Sequence, residues 1–445
     1  MAGQEPASKS TWLGSDRPLA RTIGRPVRRF LGIEAAGGIL LMVATVVALV
    51  WANSPWAGGY EDLWRTEFHL GVGEFRLEHH GHPLTLVQLV NDALMAIFFF
   101  VVGLEIKREL VDGHLRNRRA ALLPAAAALG GMVVPALVFF AFNPAGDASA
   151  GWGIPMATDI AFAVGVLSLL GDRISTPLKV FLLSLAIVDD IGAIVVIAVF
   201  YTNDLASEWL VLAGVATFAV VVLSHFKVWY TPLYILLGSI LWYAMFRSGV
   251  HATIAGVIMG LLAPAGALLK PGEVAPIDVR SLDADGLRSA RFRMNESVSV
   301  AARLQNQLHP ITGFVIIPVF ALANAGISLS GDSLRDALGS PVTIGVALGL
   351  VVGKVVGVTL FSLGAVRLGI SALPSGATAR HIVGVAAISG IGFTVSLFVT
   401  GLAFDNLILQ DEAKVGILVG SITAALLGVL ILRGTRPADN GEQYG

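Results

Sequence analysis

The chain has 445 residues, 55% of them hydrophobic and only 14% charged, and its mean hydropathy is +0.76. Soluble domains are about a quarter charged, so a soluble globule is excluded. The net charge of -1 comes with basic residues scattered between apolar stretches, which gives no sign of a nucleic-acid partner, and the lack of cysteine rules out disulfides and thiolate metal sites.

A helix needs about 20 apolar residues to cross the hydrocarbon layer. Runs of that kind predict spans at 31–52, 85–105, 120–142, 152–170, 177–201, 208–225, 230–247, 249–264, 309–329, 341–366, 381–403 and 414–433. The expected fold is an all-α polytopic membrane protein of 12 transmembrane helices over residues 31–433. Residues 1–30 and 434–445 read as cytoplasmic tails, and 265–308 as a charged, Ser-rich cytoplasmic loop with a possible surface helix near its end. The first run resembles a signal peptide in its flanks, but its length of about 22 residues suits a permanent span better than a cleaved h-region. Between spans 1 and 2, residues 68–77 partly alternate around glycines and predict a small extracytoplasmic β-hairpin.

An even number of spans puts both termini on one side. With this register, 24 of the 30 Lys and Arg residues fall on that side, 5 on the other, and Lys354 lies within a span. By the positive-inside rule both termini are cytoplasmic.

Charges at the bilayer centre cost roughly 2.5 to 3.5 kcal/mol on insertion scales, so intramembrane charges are functional candidates. Asp159 lies about 10 Å into span 4, and Asp189, Asp190 and Lys354 about 18 Å into spans 5 and 10. Adjacent residues on a helix point about 100° apart, so Asp189 and Asp190 have different jobs. One can face an ion pathway shared with Asp159, and the other can pair with Lys354. Clustered carboxylates resist simultaneous ionisation and can hold either protons or a hard cation such as Na+ or Li+. The blander alternative is a set of structural charges neutralising one another, yet three aspartates against one lysine leave an excess of negative charge. Span 4 carries Thr158-Asp159 and span 11 carries Gly390 and Gly392, both weak points in a helix. Such breaks at corresponding places predict inverted repeats, spans 3–5 and 10–12, with two discontinuous crossing helices. Close packing of glycines is the other explanation.

Several segments carry a resemblance: ALMAIFFFVVGLEIKREL (93–110), GGMVVPAL (130–137), IPMATDIAFAVGVLSLLG (154–171), LAIVDDIGAI (185–194), SGVHATIAGVI (248–258), GK (353–354) and GIGFTVSLF (390–398). Together they resemble the NhaA-type sodium/proton antiporters over most of 31–433. The resemblance implies an electrogenic exchanger of Na+ or Li+ for H+ in the cell inner membrane, serving sodium and pH homeostasis, with no cofactor and no enzymatic activity. It implies that Asp190 is the principal cation and proton carboxylate, that Asp189 pairs with Lys354, and that Thr158-Asp159 is unwound. Asp159 would compensate the positive half-helix ends and Lys354 the negative ones. Asp92 matches a family carboxylate, Glu105 and Glu109 acidic positions at the cytoplasmic mouth, and His251 a histidine linked to pH response; a histidine at a helix end is the alternative there. Gln305 and Asn306 depart from the pattern of the enteric members, which usually have Glu and His in this stretch associated with pH sensing. The 68–77 hairpin matches an element joining two protomers, hence a possible homodimer.

Two other classes fit less well. An intramembrane aspartyl protease using Asp159 with Asp189 or Asp190 would lack a Gly-x-Gly-Asp site and leave Lys354 unexplained. A proton-coupled carrier of an organic solute would need a larger polar or aromatic pocket. His79, His80 and His82 on a loop bind metals weakly at best, so no metal is assigned beyond the transported ion.

Overall fold

The computed structural model describes residues 36–435 except 69–70, 73–74, 77, 80–81, 172–173, 203–204, 227–229, 267–297 and 328–330. The expected tail at 1–30, nearly all of that at 434–445, and most of the loop at 265–308 therefore lie outside the described residues, as does His80.

The first apolar stretch forms α1 (Ala36–Ala52), after which the chain turns by 113° into α2 (Ala57–Arg65). Asn53-Ser54-Pro55 makes this turn: the Asn53 amide donates to the Ile327 carbonyl at 2.7 Å, and the Ser54 hydroxyl to that of Trp51 at 2.9 Å. The inner face of α2 is fixed by Tyr60, whose hydroxyl donates to the Leu322 carbonyl at 2.8 Å.

Strands β1 (Glu67–Phe68), β2 (Gly71–Val72), β3 (Phe75–Arg76), β4 (Glu78–His79) and β5 (His82–Thr85) follow. β2 and β3 pair antiparallel with Gly71 opposite Arg76, while β5 pairs antiparallel with both β1 and β4. Strand structure thus runs past 77 to Thr85. Thr85 and Gln88 then form a capping box that starts α3 (Leu86–Val111).

The remaining described elements are α4 (Arg118–Phe142), a 3-10 segment (Asp147–Met156), α5 (Ile160–Leu169), α6 (Thr176–Phe200), α7 (Ser207–His225), α8 (Thr231–Arg247) and α9 (Thr253–Leu262). After them come α10 (Val300–Asn324), α11 (Gly331–Gly339), α12 (Pro341–Arg367), α13 (Ala379–Ser389), α14 (Phe393–Ala403) and α15 (Leu407–Arg433). Among the described residues, 7 helices are long and apolar enough to cross a membrane, or 10 if each bent pair is one span; α8 and α9 are shorter. Span 9 and the surface helix expected before it are one continuous helix, α10, which the Ser299 hydroxyl caps at its start by accepting from the Ala302 N–H.

Polarity is distributed as in a protein dissolved in lipid. Outward positions such as Val199, Phe218 and Leu430 are more than 60% exposed, whereas Asp159, Asp189, Asp190 and Lys354 are buried. This is an integral membrane protein. Small residues let its helices close around those charges. A Cβ on Gly357 of α12 would lie 2.1 Å from the Gly130 carbonyl oxygen of α4, so only glycine permits this crossing, and it sets Lys354 beside Gly131.

Candidate functional site

Two interrupted helices meet at the centre. The 3-10 segment and α5 are bent by 43° around 157–159, and α13 and α14 by 48° around 390–392. Ala157 is extended after Pro155, and Asp159 then opens α5 as its cap, its Oδ1 accepting from the Phe162 N–H at 3.0 Å. Gly390 and Gly392 have ordinary negative φ, so they serve close approach and not a left-handed turn. A Cβ on Gly390 would sit 2.3 Å from the Leu350 carbonyl oxygen, and one on Gly392 would sit 3.0 Å from that of Ala157.

The breaks are joined directly. The Asp159 N–H donates to the Ile391 carbonyl at 2.6 Å, and Asp159 Oδ2 accepts from the Thr394 N–H at 3.0 Å and the Thr394 hydroxyl at 2.6 Å. One carboxylate thus sits at the positive ends of both α5 and α14. On the opposite ends, Thr158 Oγ1 lies 2.8 Å from both the Ser389 carbonyl and Asp189 Oδ2. Having one proton, it donates to one of them at a time.

Lys354 follows a π-turn in α12 (Gly349–Gly353) and donates to Asp189 Oδ2 at 2.6 Å and to Thr158 Oγ1 at 3.0 Å. Both charged side chains are fully buried, and Asp189 Oδ1 has no partner among the described residues. Asp190, one residue on and turned by about 100°, takes no hydrogen bond from any described residue. It faces a cavity of about 530 Å³ shared with Thr158, Asp159, Thr394, Glu105 and His309. At the far end of this cavity Glu105 Oε1 accepts from Gln305 Nε2 at 3.2 Å, Gln305 Oε1 accepts from Arg108 at 3.2 Å, and His309 Nδ1 lies 4.0 Å from Glu105. Among the described residues no three His, Asp or Glu side chains converge closely enough to chelate a metal ion. A cation at Asp190 would have to complete its shell with hydroxyl, carbonyl or water oxygens.

Comparison with known proteins decides the family. A family profile described as Na+/H+ antiporter 1 matches residues 28–432. The chain belongs to that antiporter family. It is 48% identical to a Na+/H+ antiporter, NhaA 3, of Frankia alni, over 92% of this chain and 88% of that one. It is 46% identical to NhaA of Rhodopirellula baltica (95% and 96% covered) and 45% identical to NhaA of Shewanella loihica (94% and 99%).

The other residues that the antiporter resemblance singled out fall in different places. Glu105 lines the cavity, but Glu109 does not; it turns back to accept from the His114 N–H at 2.9 Å, closing the turn after α3. Asp92 lies in a π-turn of α3 (Val90–Leu94), away from this cavity, with its carbonyl accepting from Trp242 Nε1 at 2.9 Å. His251 precedes α9, and its Nε2 lies 2.5 Å from the Tyr201 carbonyl. The Tyr201 hydroxyl in turn donates to the Ala150 carbonyl in the 3-10 segment at 2.7 Å. Sequence reasoning missed Thr394, the Ser389 carbonyl and the Arg108–Gln305–Glu105 bridge. A hydroxyl two residues after Gly392 was the available signal for Thr394; nothing in the sequence pairs Gln305 with a residue 200 positions away.

Proposed function

We propose that this chain exchanges Na+ or Li+ for H+ by alternating access, with Asp190 as the shared carboxylate. The observation that carries this is the division of labour on one helix turn: Asp189 is tied to Lys354, while Asp190 is left unbonded by described residues and faces the cavity beside Asp159 and Thr158. A carboxylate without a fixed partner, in a space walled by oxygens, suits a hard cation or a proton and not both. Two protons for one cation would make each turnover electrogenic.

The finer architecture belongs to the same proposal. The 10 candidate spans together with α8 and α9 support twelve crossings, and the matching interruptions in two halves support inverted repeats with crossing helices. The basic bias of the 24 residues supports cytoplasmic termini in an inner membrane. Strands in 68–77 are the proposed contact of a homodimer. Glu105 stands at the cytoplasmic mouth, and His251 is assigned to pH response. The test is Asp190→Asn in everted vesicles: sodium-dependent proton release should vanish while the protein stays folded, and retention of the release eliminates the assignment.

A further inference from the structure

A second cavity, of about 980 Å³, opens where α4 and α6 begin and where the chain leaves α12 at 369–375. It plays no part in the exchange proposed above. Its polar lining is one-sided. Arg119 and His114 line it, and no Asp or Glu does among the described residues. The first turns of α4 and α6 both contribute, through Arg119 and Ala120 and through Thr176 and Pro177, so two positive helix ends converge on the same space. Arg119 is placed there by Asn117, whose side chain accepts from the Arg119 N–H at 3.1 Å. Deeper in, Ser184 is only 4% exposed and lines the cavity, yet its hydroxyl has no partner among the described residues.

Helix ends and an arginine alone would fit any anion. The walls narrow the choice. Leu122, Phe181, Ile370 and Leu373 form an apolar side, and Leu122 and Ile370 are 41% and 49% exposed. The occupant must therefore be negative at one end and apolar at the other. Arg116, Arg118, Arg367 and Arg380 are also exposed at this end of the helices, which favours anionic over zwitterionic headgroups.

We propose that this cavity binds an anionic membrane phospholipid, with its phosphate at Arg119 and the α4 and α6 ends and an acyl chain along Leu122 and Ile370. A charge-assisted bond from Arg119 to phosphate sets the size of the effect: Arg119→Gln should weaken binding about ten- to hundredfold. Ser371→Asp, which places a carboxylate in the loop wall, should do the same without touching α4.

The experiment is a titration of the purified full chain in non-ionic detergent with phosphatidylglycerol, phosphatidylcholine or inorganic phosphate, followed by thermal midpoint and by native mass spectrometry. Phosphatidylglycerol should raise the midpoint and persist as an adduct, and both variants should lose that response. Equal stabilisation by phosphatidylcholine would reduce the site to an apolar groove and overturn the proposal. Stabilisation by inorganic phosphate alone would make it a free-anion site and overturn it too. If Arg119→Gln fails to fold, Ser371→Asp decides: parental affinity for phosphatidylglycerol in that variant refutes the assignment.

Discussion

Replacing Lys354 with methionine keeps most of the side-chain volume and removes only the charge. In the parent the ammonium sits 2.6 Å from Asp189 Oδ2, with both side chains fully buried. After the change, Asp189 retains the Thr158 hydroxyl as its sole donor among the described residues, which offer Oδ1 no partner. Breaking a buried pair from one side leaves an uncompensated charge and costs about 3 to 5 kcal/mol, a factor of at least about a hundred in the folding equilibrium. The double variant Lys354→Met/Asp189→Asn removes that stranded charge, and an apolar or neutral replacement of a buried pair is often close to neutral. The cycle should then show a coupling of about 2 to 3 kcal/mol. Unfolding by sodium dodecyl sulfate in mixed micelles, read by the fluorescence of the 8 tryptophans, gives all four free energies. A loss below about 1 kcal/mol for Lys354→Met, or an additive cycle, would show that the pair is solvated and refute the argument.

Thr394→Val deletes the hydroxyl donor to Asp159 while leaving the backbone one; a loss of about 1.5 to 3 kcal/mol is expected in the same unfolding assay, together with weakened sodium-dependent proton release. Gly357→Val drives a Cβ into the Gly130 carbonyl 2.1 Å away, and since neither backbone can yield, a loss of at least about 1 to 3 kcal/mol should appear, whereas Gly364→Ala, with open space around it, should be tolerated.

Hydropathy made most of the spans legible, because a lipid-facing helix cannot hide its composition. It also exposed Asp159, Asp189, Asp190 and Lys354, whose cost in a membrane makes them conspicuous. Direction was harder to see. The 113° turn after Ala52 was signalled by Asn53-Ser54-Pro55, but composition alone cannot say that a polar nine-residue helix follows it at that angle. Helix α9 is shorter than the apolar run containing it, since Pro264 and the turn at Ser248–His251 claim the ends. Gly390 and Gly392 stood out as weak points, while their reason, the approach of the Leu350 and Ala157 carbonyls, is tertiary. Glu109, one helical turn from Glu105, adds a local detail that composition does not give: its carboxylate accepts from the His114 N–H.

The link between the Asp159 N–H and the Ile391 carbonyl involves no side chain, so substitution cannot easily remove it. Pulling the two interruptions apart would strand a buried donor and acceptor, at a cost of several kcal/mol. Any rearrangement that turns the cavity from one face of the bilayer to the other is cheaper if both interrupted segments travel as a single piece, bearing Asp159 with them.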